Sequence, residues 1–196
     1  SIETDDRKGE KNNLGNLGNE YFKLGKMRKA IEYYERALKA SRKAGDKRGE
    51  GDTLGNLALA YGRNGEIGKV AECNEKKIKI LRELEEKAKE REALENLALT
   101  YRLLKESEKA IQCHEEALEI FREAGEKKKE AASCGNLGNM YLYLGNIRES
   151  LGYYLQALKI FKETGTRDGE KAISIRLGEI YSSLGETLKA VRHFER

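Results

Sequence analysis

The sequence repeats itself every forty residues, and that period limits the fold more than any other feature. Asn16-Leu17-Gly18-Asn19 with Tyr21 returns 120 residues later as Asn136-Leu137-Gly138-Asn139 with Tyr141. Intermediate copies stand at Asn56-Leu57-Ala58 with Tyr61 and at Asn96-Leu97-Ala98 with Tyr101, and Leu177-Gly178 with Tyr181 continues the series. A fixed period of this kind means that one supersecondary unit is stacked several times.

Within each unit the apolar residues recur at three-to-four spacing, which predicts two amphipathic helices of about 15 and about 17 residues. Ala30, Val70, Ala110, Ser150 and Ala190 are small, Tyr34, Asn74, His114, Tyr154 and Phe194 follow four residues later, and Leu38, Ile78, Leu118 and Leu158 stay apolar. Gly25, Gly65, Gly145 and Gly185 mark the turn inside a unit; Gly45, Gly125 and Gly165 mark the link to the next, where a left-handed residue ends a helix. The composition agrees: 38% hydrophobic and 37% charged residues, with no Pro and no Trp. Gly18 or Ala58 on a first helix and Ala30 or Ala110 on a second are expected to let two backbones approach, with Tyr21 and Leu17 filling the gaps.

The expected organisation is one solenoid over residues 1–196: a link at 1–10, units at 11–50, 51–90, 91–130 and 131–170, and an incomplete unit at 171–196. Asp6-Arg7-Lys8-Gly9-Glu10 matches Asp46-Lys47-Arg48-Gly49-Glu50 at the same offset, so the chain reads as a fragment of a longer array. Uncapped ends predict exposed apolar surface and end-to-end association of the isolated chain.

One helix pair cannot bury both of its faces, so neighbouring pairs stack into a curved rod whose groove the first helices line. Leu17-Gly18, Tyr21, Gly25, Ala30, Tyr34 and Ala37 resemble the tetratricopeptide repeat, and nearly every unit carries the pattern. That family's common period is about 34 residues. The longer period, the Asn-Leu-Gly-Asn phrase and the link Ala44-Gly45-Asp46 resemble the extended repeats of the LGN/Pins polarity adaptors; kinesin light chains and long animal tetratricopeptide arrays are similar too. The resemblance implies an all-α, right-handed superhelical solenoid of antiparallel helix pairs. It also implies a scaffold that is not an enzyme, needs no cofactor, and holds a peptide or helical segment of a partner protein in its concave groove. A structural spacer or self-associating module is the alternative.

In this register the groove face comprises Asn12, Asn16, Asn19 and Lys23 in the first unit, and Asn56, Leu59 and Arg63 in the second. It continues through Asn96, Leu99 and Arg102 to Asn136, Asn139 and Tyr143, and reaches Arg176 in the last unit. A row of carboxamides offers donors and acceptors to an extended backbone. In similar proteins the corresponding Asn positions clamp peptide backbones, a role the resemblance carries to Asn16, Asn56, Asn96 and Asn136. The other reading is that each Asn bridges adjacent helices and satisfies buried backbone groups. Lys23, Arg63, Arg102 and Arg176 favour an acidic segment and Leu59, Leu99, Leu103 and Tyr143 an apolar one, while Asp52, Glu92 and Glu95 make the potential mixed.

Other chemistry finds little support. The 38 basic and 34 acidic residues are interspersed, leaving +4, which argues against a nucleic-acid surface. Cys73, Cys113 and Cys134 form no CxxC pair and fit a reducing cytosol, so a cytoplasmic location is expected. Cys73 and Cys113 occupy equivalent places one unit apart, about 10 Å by helix packing, beyond the roughly 7 Å a disulfide spans. No run is apolar and long enough to cross a bilayer, and His114 beside Cys113 has no second pair to complete a metal site. Unit two departs from its siblings with Lys77, Val70-Ala71 and Glu85, and unit three has Lys105 in place of the turn glycine. Altered packing is therefore expected where these units meet, with the Lys77 amine extended to water.

Overall fold

The computed structural model describes the backbone of residues 2–195 and the side chains of residues 12–195. The described residues form ten helices and no strand. They are α1 (Ile2–Lys23), α2 (Met27–Lys43), α3 (Lys47–Arg63), α4 (Ile67–Glu83), α5 (Lys87–Leu103), α6 (Ser107–Glu123), α7 (Lys127–Tyr143), α8 (Ile147–Glu163), α9 (Arg167–Ser183) and α10 (Thr187–Phe194). The architecture is an all-α solenoid of antiparallel helix pairs. From α2 to α9 every helix has 17 residues, two more than the expected first helix. The chain divides into two compact units, Ser1–Cys113 and His114–Arg196, each described in turn.

One turn ends nearly every helix. After α1, the Gly25 amide donates to the Phe22 carbonyl and the Lys26 amide to the Tyr21 carbonyl, with Gly25 at φ +72°. This double bond around a left-handed residue satisfies carbonyls that the helix end would orphan. The same turn forms at Glu85 (φ +55°) and Lys105 (φ +61°), with matching bonds from Glu86 to Leu81 and from Glu106 to Tyr101. At these two positions a non-glycine residue holds a left-handed conformation, while helix length and turn bonding match those of the other units. Lys77 is half-buried, and its stem lies along α3, with Nζ 3.3 Å from where a Cβ on Gly55 would be.

In the first unit the core gathers Ala30, Ile31, Tyr34, Leu54, Leu57, Ala60 and Tyr61. Leu57 is 2% exposed, whereas Leu17, expected to fill the same gap, is 43% exposed, because no earlier helix pair covers it among the described residues. Gly18 faces the aromatic ring of its partner helix. It seats the Tyr34 ring, whose nearest atom would lie 2.5 Å from a Cβ at that position. The second unit repeats the device: a Cβ on Gly138 would meet Tyr154 at 2.8 Å and one on Gly178 would meet Phe194 at 2.5 Å. There the backbone approach is real as well, since the buried Ser150 hydroxyl donates to the Gly138 carbonyl at 2.8 Å.

Successive pairs are tied by recurring polar bonds. In the first unit the Tyr61 hydroxyl donates to Glu35 at 2.7 Å, and the Tyr101 hydroxyl donates to Glu75. In the second, Tyr141 and Tyr153 both donate to Glu115, at 2.9 and 2.7 Å. Burial, reinforced by the Glu115 carboxylate, pushes the Tyr141 phenol up to about 12, so this proton stays bound at neutral pH. Arginines add a second tie, with Arg42 to Glu50 at 2.7 Å, Arg82 to the buried Glu90 at 2.6 Å and Arg122 to the buried Glu130 at 3.3 Å.

Candidate functional site

First-helix positions four apart share a face, so each helix presents its groove residues as one column. On α1 these are Asn12, Asn16, Asn19 and Lys23, and on α3 they are Asn56, Leu59 and Arg63. Of these, Asn16, Asn19, Lys23, Asn56 and Leu59 line a concave cavity of about 460 Å³ in the first unit, together with Glu20, Phe22 and Tyr34. The Arg63 guanidinium sits 4.4 Å from the Phe22 ring centroid at its edge, and Lys23 pairs with Glu20 at 2.8 Å. Asn96, Leu99 and Arg102 share the exposed face of α5, and Asn12 is exposed on α1; these four lie outside the cavity.

The second unit holds a cavity of about 340 Å³. Asn136, Asn139 and Arg176 line it over a base of Tyr154, Phe161 and Ile173, with Ala132, Gly135, Gly169 and Ala172 leaving room. Arg176 also pairs with Glu179 at 3.0 Å. Tyr143 stands outside this cavity and is 85% exposed, the most exposed large hydrophobic side chain among the described residues.

The carboxamides divide into two kinds. Asn19 and Asn139 each accept a hydrogen bond from a tyrosine of their own helix pair, Tyr34 and Tyr154, both at 2.7 Å. Their carbonyls therefore hold the aromatic ring that fills the glycine seat, and the amide NH₂ with one remaining oxygen lone pair is left for a ligand. Asn16, Asn96 and Asn136 are exposed and Asn56 is half-buried; none is tied to a neighbouring helix in this way among the described residues.

Phe22, Phe161 and Ile173 were missed by the sequence reading. Phe22 stands where the other units carry Gly62, Arg102, Leu142 and Ser182, so no repeat signal marks it. Cys73, Cys113 and Cys134 are buried free thiols, and burial pushes those of Cys73 and Cys134 up to about 11, far from a reactive thiolate. Among the described residues no three His, Cys, Asp or Glu side chains gather to hold a metal, and no helix is long and apolar enough to cross a membrane.

Comparison with solved structures places this architecture among helical repeat proteins. BtubC (BKLC) from P. vanneervenii is 28% identical with a TM-score of 0.64, over 93% of this chain and 76% of that one. A kinesin light chain from Podosopora anserina with nearly identical TPR-like repeats is 20% identical with a TM-score of 0.66, over 94% and 91%. A Rap protein complexed with competence and sporulation factor is 23% identical with a TM-score of 0.55, over 93% of this chain and 51% of that one, so the chain spans about half of it. The last two share the fold at identities too low to carry more. No curated protein matches the sequence. The family model for the tetratricopeptide repeat matches residues 11–83, 89–163 and 130–196, and the chain belongs to the tetratricopeptide repeat family.

Proposed function

We propose that this chain is a non-catalytic, cytoplasmic protein-interaction scaffold whose first-helix grooves hold a peptide or helical segment of a partner protein. The observation that carries the reading is that a cavity lies on the first-helix face of each compact unit, and that exposed or half-exposed carboxamides line both, Asn16 and Asn56 in one and Asn136 in the other. Such groups donate to and accept from a peptide backbone without demanding its sequence. Lys23, Arg63, Arg102 and Arg176 favour acidic side chains in that segment, and the exposed Leu59, Leu99, Leu103 and Tyr143 favour apolar ones. The Rap protein in complex with competence and sporulation factor supports the reading as a solved case of this fold holding a ligand. The forty-residue spacing resembles the extended repeats of the LGN/Pins adaptors.

Panning a phage-displayed random peptide library against the chain tests this. Enriched peptides should lose most of their binding on Asn56→Ala combined with Asn136→Ala. A library that yields no enriched peptide, or peptides indifferent to both substitutions, rules the groove out. A self-associating module is favoured by one observation: Leu184, Leu188, Val191 and Phe194, on and before α10, are 45–79% exposed.

A further inference from the structure

We infer that α9 and α10 come away from α8 as one cooperative unit, so that the second unit's cavity has a wall the fold can withdraw. The earlier junctions between a second helix and the first helix that follows it are fastened by polar side chains at fixed positions in the repeat. A phenol donates to a carboxylate 26 residues before it at α2–α3 (Tyr61 to Glu35), at α4–α5 (Tyr101 to Glu75) and at α6–α7 (Tyr141 to Glu115). At the same offset before Tyr181 stands Leu155, which offers no acceptor. The Tyr181 ring stacks within its own helix pair, on His193, with centroids 5.5 Å apart. The same three junctions carry an ion pair between an arginine and the carboxylate eight residues after it, in Arg42–Glu50, Arg82–Glu90 and Arg122–Glu130. Lys162 and Glu170 hold those places at α8–α9 and form no ion pair among the described residues.

The interior of this junction has changed as well. Leu54, Leu94 and Cys134 fill one buried position of the first helices, and in α9 Ser174 fills it, 2% exposed and with a hydroxyl that has no hydrogen-bond partner. A buried hydroxyl without a partner regains its hydrogen bonds when water reaches it, so it favours separation. What holds α9 is apolar contact. The Phe161 ring lies 2.7 Å from where a Cβ on Gly169 would be, and Ile173 reaches within 3.1 Å of the same point on Gly135. On the far side α10 is fixed to α9 in its turn, with the Phe194 ring seated at Gly178. When α9 leaves, α10 therefore leaves with it.

The consequence falls on the cavity of about 340 Å³, one wall of which is Gly169, Ala172, Ile173 and Arg176 of α9, while α7 and α8 supply the rest. The first unit's cavity lies between α1, α2 and α3, and there the α2–α3 junction has both the phenol tie and the ion pair. Structures open locally where such contacts are fewest. One cavity is thus held at a fixed width, and the other exists only while α9 is docked.

Hydrogen–deuterium exchange of the whole chain, read by mass spectrometry, tests this. Amides of α9 and α10 should exchange together, with protection at least about tenfold below that of α7 and α8. Leu155→Glu with Lys162→Arg gives this junction the residues of the earlier ones and should raise protection across α9 and α10 by at least about tenfold while leaving α3 and α4 as they are. Ser174→Ala, which removes the unpartnered hydroxyl and adds no contact, should raise it too. As a second readout, a thiol reagent should modify the Ser174→Cys variant at that position at least about tenfold faster than at Cys134, and Leu155→Glu with Lys162→Arg should slow the reaction. Protection of α9 equal to that of α7, exchange that proceeds through α10 while α9 stays protected, or indifference to the restored ties overturns the inference. None of these readouts involves a ligand, so the outcome is independent of whether either groove binds one.

Discussion

Replacing Gly138 by Ala separates two effects that glycine always mixes. Inside a helix an added methyl gains about 0.5–1 kcal/mol by restricting the unfolded chain. At Gly138 that methyl would sit 2.8 Å from two ring atoms of Tyr154 and 3.0 Å from a third. Tyr154 is fully buried and anchored to Asn139 through its hydroxyl, so the ring cannot swing away. Overpacking of this kind costs about 1–3 kcal/mol. The net expectation for Gly138→Ala is therefore a loss of about 0–2 kcal/mol. Gly152, on exposed α8 surface, has nothing within 4 Å of its added Cβ, so Gly152→Ala keeps the gain alone. The two variants should differ by about 1–3 kcal/mol in urea unfolding followed by helical circular dichroism, or by roughly 2–12 °C in melting temperature for a chain of this size. Repeating Gly138→Ala in a Tyr154→His background, which copies the Ala98 and His114 pairing of unit three, should recover at least about 1 kcal/mol as coupling. Equal effects of the two glycine substitutions, or zero coupling in the cycle, would refute the seat argument.

Four further outcomes follow from the same geometry. Glu85→Gly and Lys105→Gly relieve the left-handed strain at φ +55° and +61° and should each stabilise by about 1 kcal/mol in thermal melts. Raised phenol pKa values mean that the folded chain holds tyrosine protons more tightly than the unfolded one. Stability is therefore intact below pH 10 and falls as pH rises through about 12, and absorbance titration should show Tyr141 ionising there, with Glu115→Gln lowering that midpoint. Cys73 and Cys134 should resist a thiol reagent at pH 8 in the native protein and react within seconds of mixing in strong denaturant, as ordinary thiols do. Light scattering at rising concentration should report self-association that Leu188→Lys with Val191→Lys reduces; the two side chains are 79% and 45% exposed.

The period was legible because the positions that carry it are the ones packing cannot spare. Gly18, Gly138 and Gly178 recur because each seats an aromatic ring, and Leu57, Leu97, Leu137 and Leu177 recur because each is 4% exposed or less. Helical spacing grouped Asn16 with Asn19 and Lys23, and Asn136 with Asn139, which line the two cavities, while Asn12, Asn96, Leu99, Arg102 and Tyr143 from the same reading lie outside them. The partner of each polar group was not. That the Asn19 carbonyl is held by Tyr34 needed the distance between two helices fifteen residues apart in sequence, and Phe22 carries no repeat signal at all. Glu85 and Lys105 misled for a physical reason. The turn's bonds outweigh the strain of a side chain at positive φ, so losing glycine changed the energy and left the geometry alone.

The hydroxyl ties fix the unit of length change this chain tolerates. Tyr61 reaches Glu35 and Tyr101 reaches Glu75, each spanning 26 residues. Excising residues 51–90 would bring Tyr101 to the partner that Tyr61 has now, whereas a cut that is not a multiple of forty residues would leave a phenol and a carboxylate facing the wrong neighbours. Shortening or lengthening of such a chain is thus quantised, one whole hairpin pair at a time.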